Sequence, residues 1–85
     1  MLENINIDIT ISKYLFFLRI DDSLVNFYNH KEEHLGMLRK VRVGTWMSWG
    51  LFLNPDCYLS AGCQDEVREE TRKLNAELCK KKTQE

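Results

Sequence analysis

The chain has 85 residues, enough for one hydrophobic core and too few for two domains with a cleft between them. Hydrophobic residues make up 44% and charged residues 29%, a composition that favours folding over disorder. A formal net charge of −1 excludes a global positive field that would attract nucleic acid or an anionic membrane. We therefore expect residues 1–85 to form a single compact domain.

The N-terminal residues and the cysteines indicate a cellular compartment. Glu3 and Asp8 precede the first apolar run, whereas an export signal needs a positive start. The nearly uncharged stretches are shorter than the roughly 20 apolar residues that cross a bilayer. The chain has three cysteines, Cys57, Cys63 and Cys79. An odd number suits reduced thiols, so we expect a cytoplasmic protein without a membrane partner.

The first half of the chain predicts two strands and a helix. Isoleucines alternate with polar residues over residues 5–11, the period of a strand with one dry face. The apolar run over residues 14–20 favours a second strand beside the first. Residues 21–23 offer capping chemistry, and later apolar residues fall near helical spacing. These features predict a helix over residues 23–39, with Gly36 as its weak point.

The second half predicts one bent strand or two short strands, then a helix. Over residues 41–53, alternation places Arg42 on the same side as Trp46 and Phe52, and Gly44 or Gly50 marks a bend or hairpin. Asn54-Pro55-Asp56 indicates a turn or the first turn of a short helix. Residues 64–82 carry acidic residues near their start and lysines at their end, the order of charges that predicts a helix.

The resulting order of elements is β-β-α-β(β)-α. It predicts a small α+β domain in which an antiparallel sheet of three to four strands packs against two helices. An apolar stripe follows the last helix at steps of four, three and four, formed by Val67, Thr71, Leu74 and Leu78. Such a stripe packs on the sheet by default, and the alternative is a homodimer through the C-terminal helix.

Histidines and cysteines offer a candidate metal site. Residues 30–34 match the bare H-x-x-E-H pattern of inverted zinc peptidases, but 85 residues scarcely provide a third ligand and a substrate cleft. A structural zinc site is the third hypothesis for function. Its ligands would be His30, His34, Cys57 and Cys63. The five residues between the cysteines exceed the usual two to four, so the prediction is that no metal and no cofactor is bound.

Basic and aromatic residues around residues 39–52 offer two further sites. Arg39, Lys40 and Arg42 precede two tryptophans, and cations beside aromatic rings suit single-stranded nucleic acid. This alternative is a small nucleic-acid-binding regulator. Exposed aromatics beside arginine also favour protein interfaces. The candidate partner-binding residues are Arg42, Trp46, Phe52, Arg39 and Lys40.

The sequence lacks a catalytic set and carries these residues on a predicted sheet face. We therefore expect a non-enzymatic cytosolic binding protein without catalytic residues. Its expected role is that of an inhibitor or adaptor that occupies the surface of a larger protein.

Overall fold

Residues 9–83 are described by a computed structural model and form a five-stranded antiparallel sheet followed by one helix. The strands are β1 (Ile9–Ile11), β2 (Phe16–Asp21), β3 (Leu24–Tyr28), β4 (His34–Val43) and β5 (Trp46–Leu53), and the helix is α1 (Ala61–Thr83). Strands lie in the sheet in chain order, so each pairs with its neighbour as a hairpin. The α+β class is confirmed, but five strands and one helix replace the predicted three to four strands and two helices.

The two N-terminal strands agree with the prediction. β1 contains the end of the predicted strand over residues 5–11, and residues 5–8 lie outside the described residues. β2 covers most of the second predicted strand and pairs with β1, with Ile9 opposite Leu18 and Ile11 opposite Phe16. Period-2 alternation was therefore a sufficient signal for β1, and the short apolar run was one for β2.

The predicted helix over residues 23–39 is wrong, because this segment forms the β3–β4 hairpin. Asn29 stabilises the turn: its Oδ1 accepts hydrogen bonds from the N–H groups of Lys31 and Glu33 at 2.8 and 3.0 Å. Val25 and Phe27 are buried while their neighbours in β3 are half-buried, the alternation of a strand. Helical spacing and strand alternation both fitted these apolar residues, and sheet pairing decided between them.

Gly36 lies where two strands approach closely. A Cβ atom there would come within 2.4 Å of the Phe52 carbonyl oxygen and 3.0 Å of the Phe27 ring. The glycine that was expected to weaken a helix instead permits close packing in β4.

The segment over residues 41–53 forms part of the β4–β5 hairpin rather than one bent strand. Val43 pairs with Trp46, which leaves Gly44 and Thr45 as a two-residue loop. Gly44 has φ of 64°, and glycine adopts this left-handed conformation without steric cost. The predicted alternative of a hairpin at Gly44 is confirmed.

Helix α1 begins three residues before the predicted start. Ser60 caps it, since the N–H of Cys63 donates to Ser60 Oγ at 3.3 Å. Residues 55 and 56 form the predicted turn. Val67 and Leu74 are buried and Leu78 packs against the same core, so the apolar stripe is used inside the protomer. Within residues 9–83, no helix has the length and apolar character needed to span a bilayer.

The core lies between α1 and one face of the sheet. Ten buried side chains form it: Leu15, Phe17, Val25, Phe27, Leu35, Leu38, Trp49, Leu59, Val67 and Leu74. Helix α1 lies along β5, the edge strand, where Asn75 Oδ1 accepts a hydrogen bond from the N–H of Trp49 at 2.8 Å. The helix therefore packs on one face of the sheet and not on the other.

Candidate protein-binding surface

The side of the sheet away from α1 is called the open face. Residues paired across antiparallel strands share a face, and neighbours along a strand point to opposite faces. The pairing register of β2 shifts between Arg19 and Asp21, so Asp21 is treated as a rim residue. The remaining registers place sixteen residues on the open face: Ile9, Ile11, Phe16, Leu18, Leu24, Asn26, Tyr28, His34, Met37, Arg39, Val41, Val43, Trp46, Ser48, Gly50 and Phe52. One row, from Ile9 to Phe52, crosses all five strands.

Large apolar side chains on the open face are in contact with solvent. Ile9 and Ile11 are 63% and 69% exposed, Trp46 is 54% exposed and Phe52 is 44% exposed. Trp49, three residues from Trp46 on the same strand, is 5% exposed because it faces α1. The difference in burial follows from the position of the helix, since both faces carry apolar residues.

Charge is scarce on the open face. Arg39 is the one side chain with a fixed charge among its sixteen residues, and its guanidinium carbon lies 5.9 Å from the centre of the Phe52 ring. Asp21 ends β2 at the rim of this face. The N–H and the hydroxyl of Ser23 donate to the Asp21 carboxylate and hold its pKa below the ordinary value.

The predicted grouping of Arg42 with Trp46 and Phe52 on one side is wrong. The two-residue loop pairs Arg42 with Met47, so Arg42 lies on the face that α1 covers, at its exposed end. Trp46 and Phe52 do share the open face of β5. Six residues at about 3.4 Å each separate them by roughly 20 Å, with Ser48 and Gly50 between.

The three candidate cations, Arg39, Lys40 and Arg42, are divided between the two faces. The Arg39 guanidinium contacts the Phe52 ring at the open face, whereas the Lys40 ammonium lies 5.8 Å from the centre of the Trp49 ring on the helix side. Arg42 shares the helix side with Lys40. The structure therefore does not bring the predicted basic residues into one stripe beside an exposed tryptophan.

The candidate zinc ligands are likewise not assembled. Among residues 9–83, no three His, Cys, Asp or Glu side chains form a group suited to a metal ion. The His30 ring packs edge-on against Phe16, with the ring centres 5.1 Å apart. The Cys57 thiol donates to the carbonyl of His34 at 3.4 Å, and Cys63 lies in the first turn of α1. His30 and His34 flank a turn, so the helical spacing assumed for the H-x-x-E-H pattern does not occur.

One end of the open face is polar. His34 Nδ1 lies 3.2 Å from Asn54 Nδ2, and His34 Nε2 lies 3.4 Å from Asn26 Oδ1. The Tyr28 ring is 5.2 Å from the His34 ring. These side chains hold one another in place and give the apolar face a hydrogen-bonding margin.

Sequence reasoning missed most of the open face. Leu24, Asn26 and Tyr28 were assigned to a helix, and the isoleucines of β1 were interpreted as facing a core. The signal that pointed to them was the alternation of residues 24–28, which follows the period of a strand.

A second apolar surface lies on the helix side. Beyond the part of β5 that α1 covers, an open groove of about 390 Å³ is formed by apolar residues of β5, α1 and the segment between them. Its apolar lining comprises Leu51, Leu53, Cys57, Tyr58, Leu59 and Val67. The groove is confined to one edge of the sheet, whereas the open face extends across all five strands.

Comparison of the chain with protein-family models, with curated proteins and with solved structures returned no match. The function is therefore argued from the geometry of the open face.

Proposed function

We propose that this chain is a non-enzymatic protein-binding domain, an inhibitor or adaptor, that docks on a larger protein through the open face. The observation that carries the proposal is that the face of the sheet opposite α1 presents large apolar side chains to solvent. Those of β2 and β3 are half-buried, and five on the other strands are exposed: Ile9, Ile11, Val43, Trp46 and Phe52. Burying such residues against a partner removes apolar surface from water, the main source of free energy in protein association.

The size of the open face supports this role. Five strands about 4.8 Å apart, with a mean length of about six residues, present roughly 500 Å² in projection. Apolar patches on monomers are about 300–600 Å² and often functional, so a face of this size accommodates such a patch together with its polar margin. With a partner surface of equal size, the contact buries on the order of 1,000 Å², the lower bound for a specific interface.

The composition of the face also supports a protein partner. Tryptophan, tyrosine and arginine carry much of the binding energy in protein interfaces, and the open face presents Trp46, Tyr28 and Arg39. Polar groups at its margin, such as Asn26 and His34, provide the hydrogen-bonding rim that interfaces have.

The test compares two double variants of the full chain as immobilised bait in lysate from the source cells. One replaces residues of the open face (Trp46→Ser with Phe52→Ser). The matched control replaces two β5 residues of the helix side, each 44% exposed (Met47→Ser with Leu51→Ser). Circular dichroism first establishes that both variants fold.

We expect wild type and the control to retain the same nuclease-resistant protein. The open-face variant should retain at least tenfold less of it. Equal retention by the two variants, or recovery of nuclease-sensitive material alone, would contradict the proposal.

A further inference from the structure

Arg39 is unusual on the open face because it is charged, exposed and surrounded by apolar neighbours. Leu24 and Gly50 lie opposite it on the adjacent strands, and Met37 and Val41 flank it along β4. No ion pair of Arg39 occurs among the side chains that the structure describes within residues 9–80. A partner that covers this face must therefore cover the guanidinium as well.

A cation–π contact prepares Arg39 to bind an anion. The guanidinium carbon lies 5.9 Å from the centre of the Phe52 ring. A guanidinium group carries five N–H donors in a planar fork that matches a carboxylate, and the contact with a ring does not use these donors for an acceptor oxygen. The aromatic ring also limits the conformations of a long side chain, which lowers the entropy lost on binding.

The chain's own acidic group in the row of Arg39 does not pair with it. Asp21, Leu24 and Arg39 lie in one row across β2, β3 and β4, with Leu24 between the two charged residues. The Ser23 N–H and the Ser23 hydroxyl both donate to Asp21 Oδ1, at 2.8 and 2.9 Å. No ion pair between Asp21 and Arg39 occurs among the described side chains. The counter-charge for a covered Arg39 must therefore come from the partner.

We infer that the partner is a different protein with an apolar surface that places an aspartate, glutamate or C-terminal carboxylate against Arg39. The inference rests on the proposed function and adds the chemistry of the partner. A second copy of this chain fits less well, because pairing two open faces brings two guanidinium groups into one apolar contact without a carboxylate from the face. Burying a charge without its partner opposes association.

The first experiment uses two dyes with the full chain. Anilinonaphthalene sulfonate is an aromatic anion whose sulfonate stands in for the carboxylate, and Nile red is an uncharged apolar probe. We titrate each dye into wild type, Arg39→Gln and Arg42→Gln. Arg42 is the matched control, since it is an exposed arginine of the same strand on the opposite face.

We expect Arg39→Gln to weaken binding of the anionic dye at least fivefold and to change Nile red binding less than twofold. Arg42→Gln should change neither. Undiminished binding of the anionic dye by Arg39→Gln, or an equal loss of both dyes, would overturn the inference about the carboxylate. Nile red binding that is insensitive to the open-face double variant would instead count against the open face itself.

Two further measurements separate this inference from the proposed function. In the lysate experiment, Arg39→Gln should no longer retain the partner protein, and Arg42→Gln should still retain it. Retention by Arg39→Gln would contradict the inference that the partner places a carboxylate against Arg39, without contradicting the proposal that the open face is the docking surface. Sedimentation equilibrium of the purified wild type should show a monomer. A dimer that dissociates in the open-face variant would identify the occupant as a second copy and overturn the inference.

Discussion

The two tryptophans of β5 are three residues apart in the chain and lie in opposite environments. Trp49 faces α1, packs in the core and donates its backbone N–H to Asn75 Oδ1, whereas Trp46 lies on the open face and is 54% exposed. Both faces of this sheet are apolar, so hydrophobicity alone does not decide burial here. The position of a single helix decides it, and the face that the helix does not cover is the one that we propose as the docking surface.

The largest expected effect is the difference in stability between variants of the two tryptophans. Replacement of Trp49 by alanine should lower the free energy of unfolding by about 3–5 kcal/mol, because it leaves a cavity in the core. Trp46→Ala should cost less than about 1 kcal/mol, since Trp46 is 54% exposed and its loss leaves no cavity in the core. Urea unfolding followed by circular dichroism measures both. Similar losses for the two variants would contradict the difference in burial between Trp49 and Trp46.

A second comparison uses glycines on adjacent strands. Gly36→Ala should destabilise the protein by about 1–3 kcal/mol, because the new Cβ atom would overlap the Phe52 carbonyl. Gly50 lies on the open face, where a Cβ atom would meet its nearest neighbours at an ordinary 3.5 Å. Gly50→Ala should therefore be neutral or stabilising by up to about 1 kcal/mol. Thermal unfolding of both variants tests the difference, and an equal loss would contradict it.

The link between the helix and the edge strand gives a smaller effect. Asn75→Ala removes the acceptor for the Trp49 N–H and should cost about 1 kcal/mol. The Trp49 amide should also exchange faster with solvent deuterium, while amides in the β3–β4 ladder keep their protection. Ser48→Ala is the control, because the Ser48 hydroxyl lies 3.4 Å from the same oxygen and its loss should change little.

The smallest expected effect is a change in the pKa of Asp21, the acidic residue at the rim of the open face. Ser23 lowers the Asp21 pKa, so the ionised form stabilises the fold above the ordinary pKa of the carboxyl. This stabilisation is lost as the pH falls through the lowered pKa. Titration by nuclear magnetic resonance should show that Ser23→Ala raises the Asp21 pKa and that Arg39→Gln leaves it nearly unchanged. A rise with Arg39→Gln would mean that Asp21 already serves as its counter-charge.

Local patterns predicted several elements correctly. The polar/apolar alternation near Ile9 and Ile11, the apolar run of β2 and the order of charges in α1 each reflect the geometry of one element. The hairpin at Gly44 was one of the predicted alternatives, because a glycine within an alternating segment is also a local pattern. By contrast, residues 24–38 fitted two periods, and the long-range pairing of β4 with β5 favoured the strands.

The candidate site shows the same division. Trp46 and Phe52 were placed on one face because six residues of one strand separate them, an even number. Arg42 was misplaced because a two-residue loop, rather than a continuous strand, connects it to Trp46. Alternation along a chain holds within a strand, and a turn of unknown length resets it.

By itself the sequence determined that this chain has strands with apolar faces and a C-terminal helix with one apolar stripe, because both follow from periods along the chain. The tertiary structure alone decided which face of the sheet the helix covers. One helix covers one face of a sheet at most, and only packing determines which apolar residues remain for a partner.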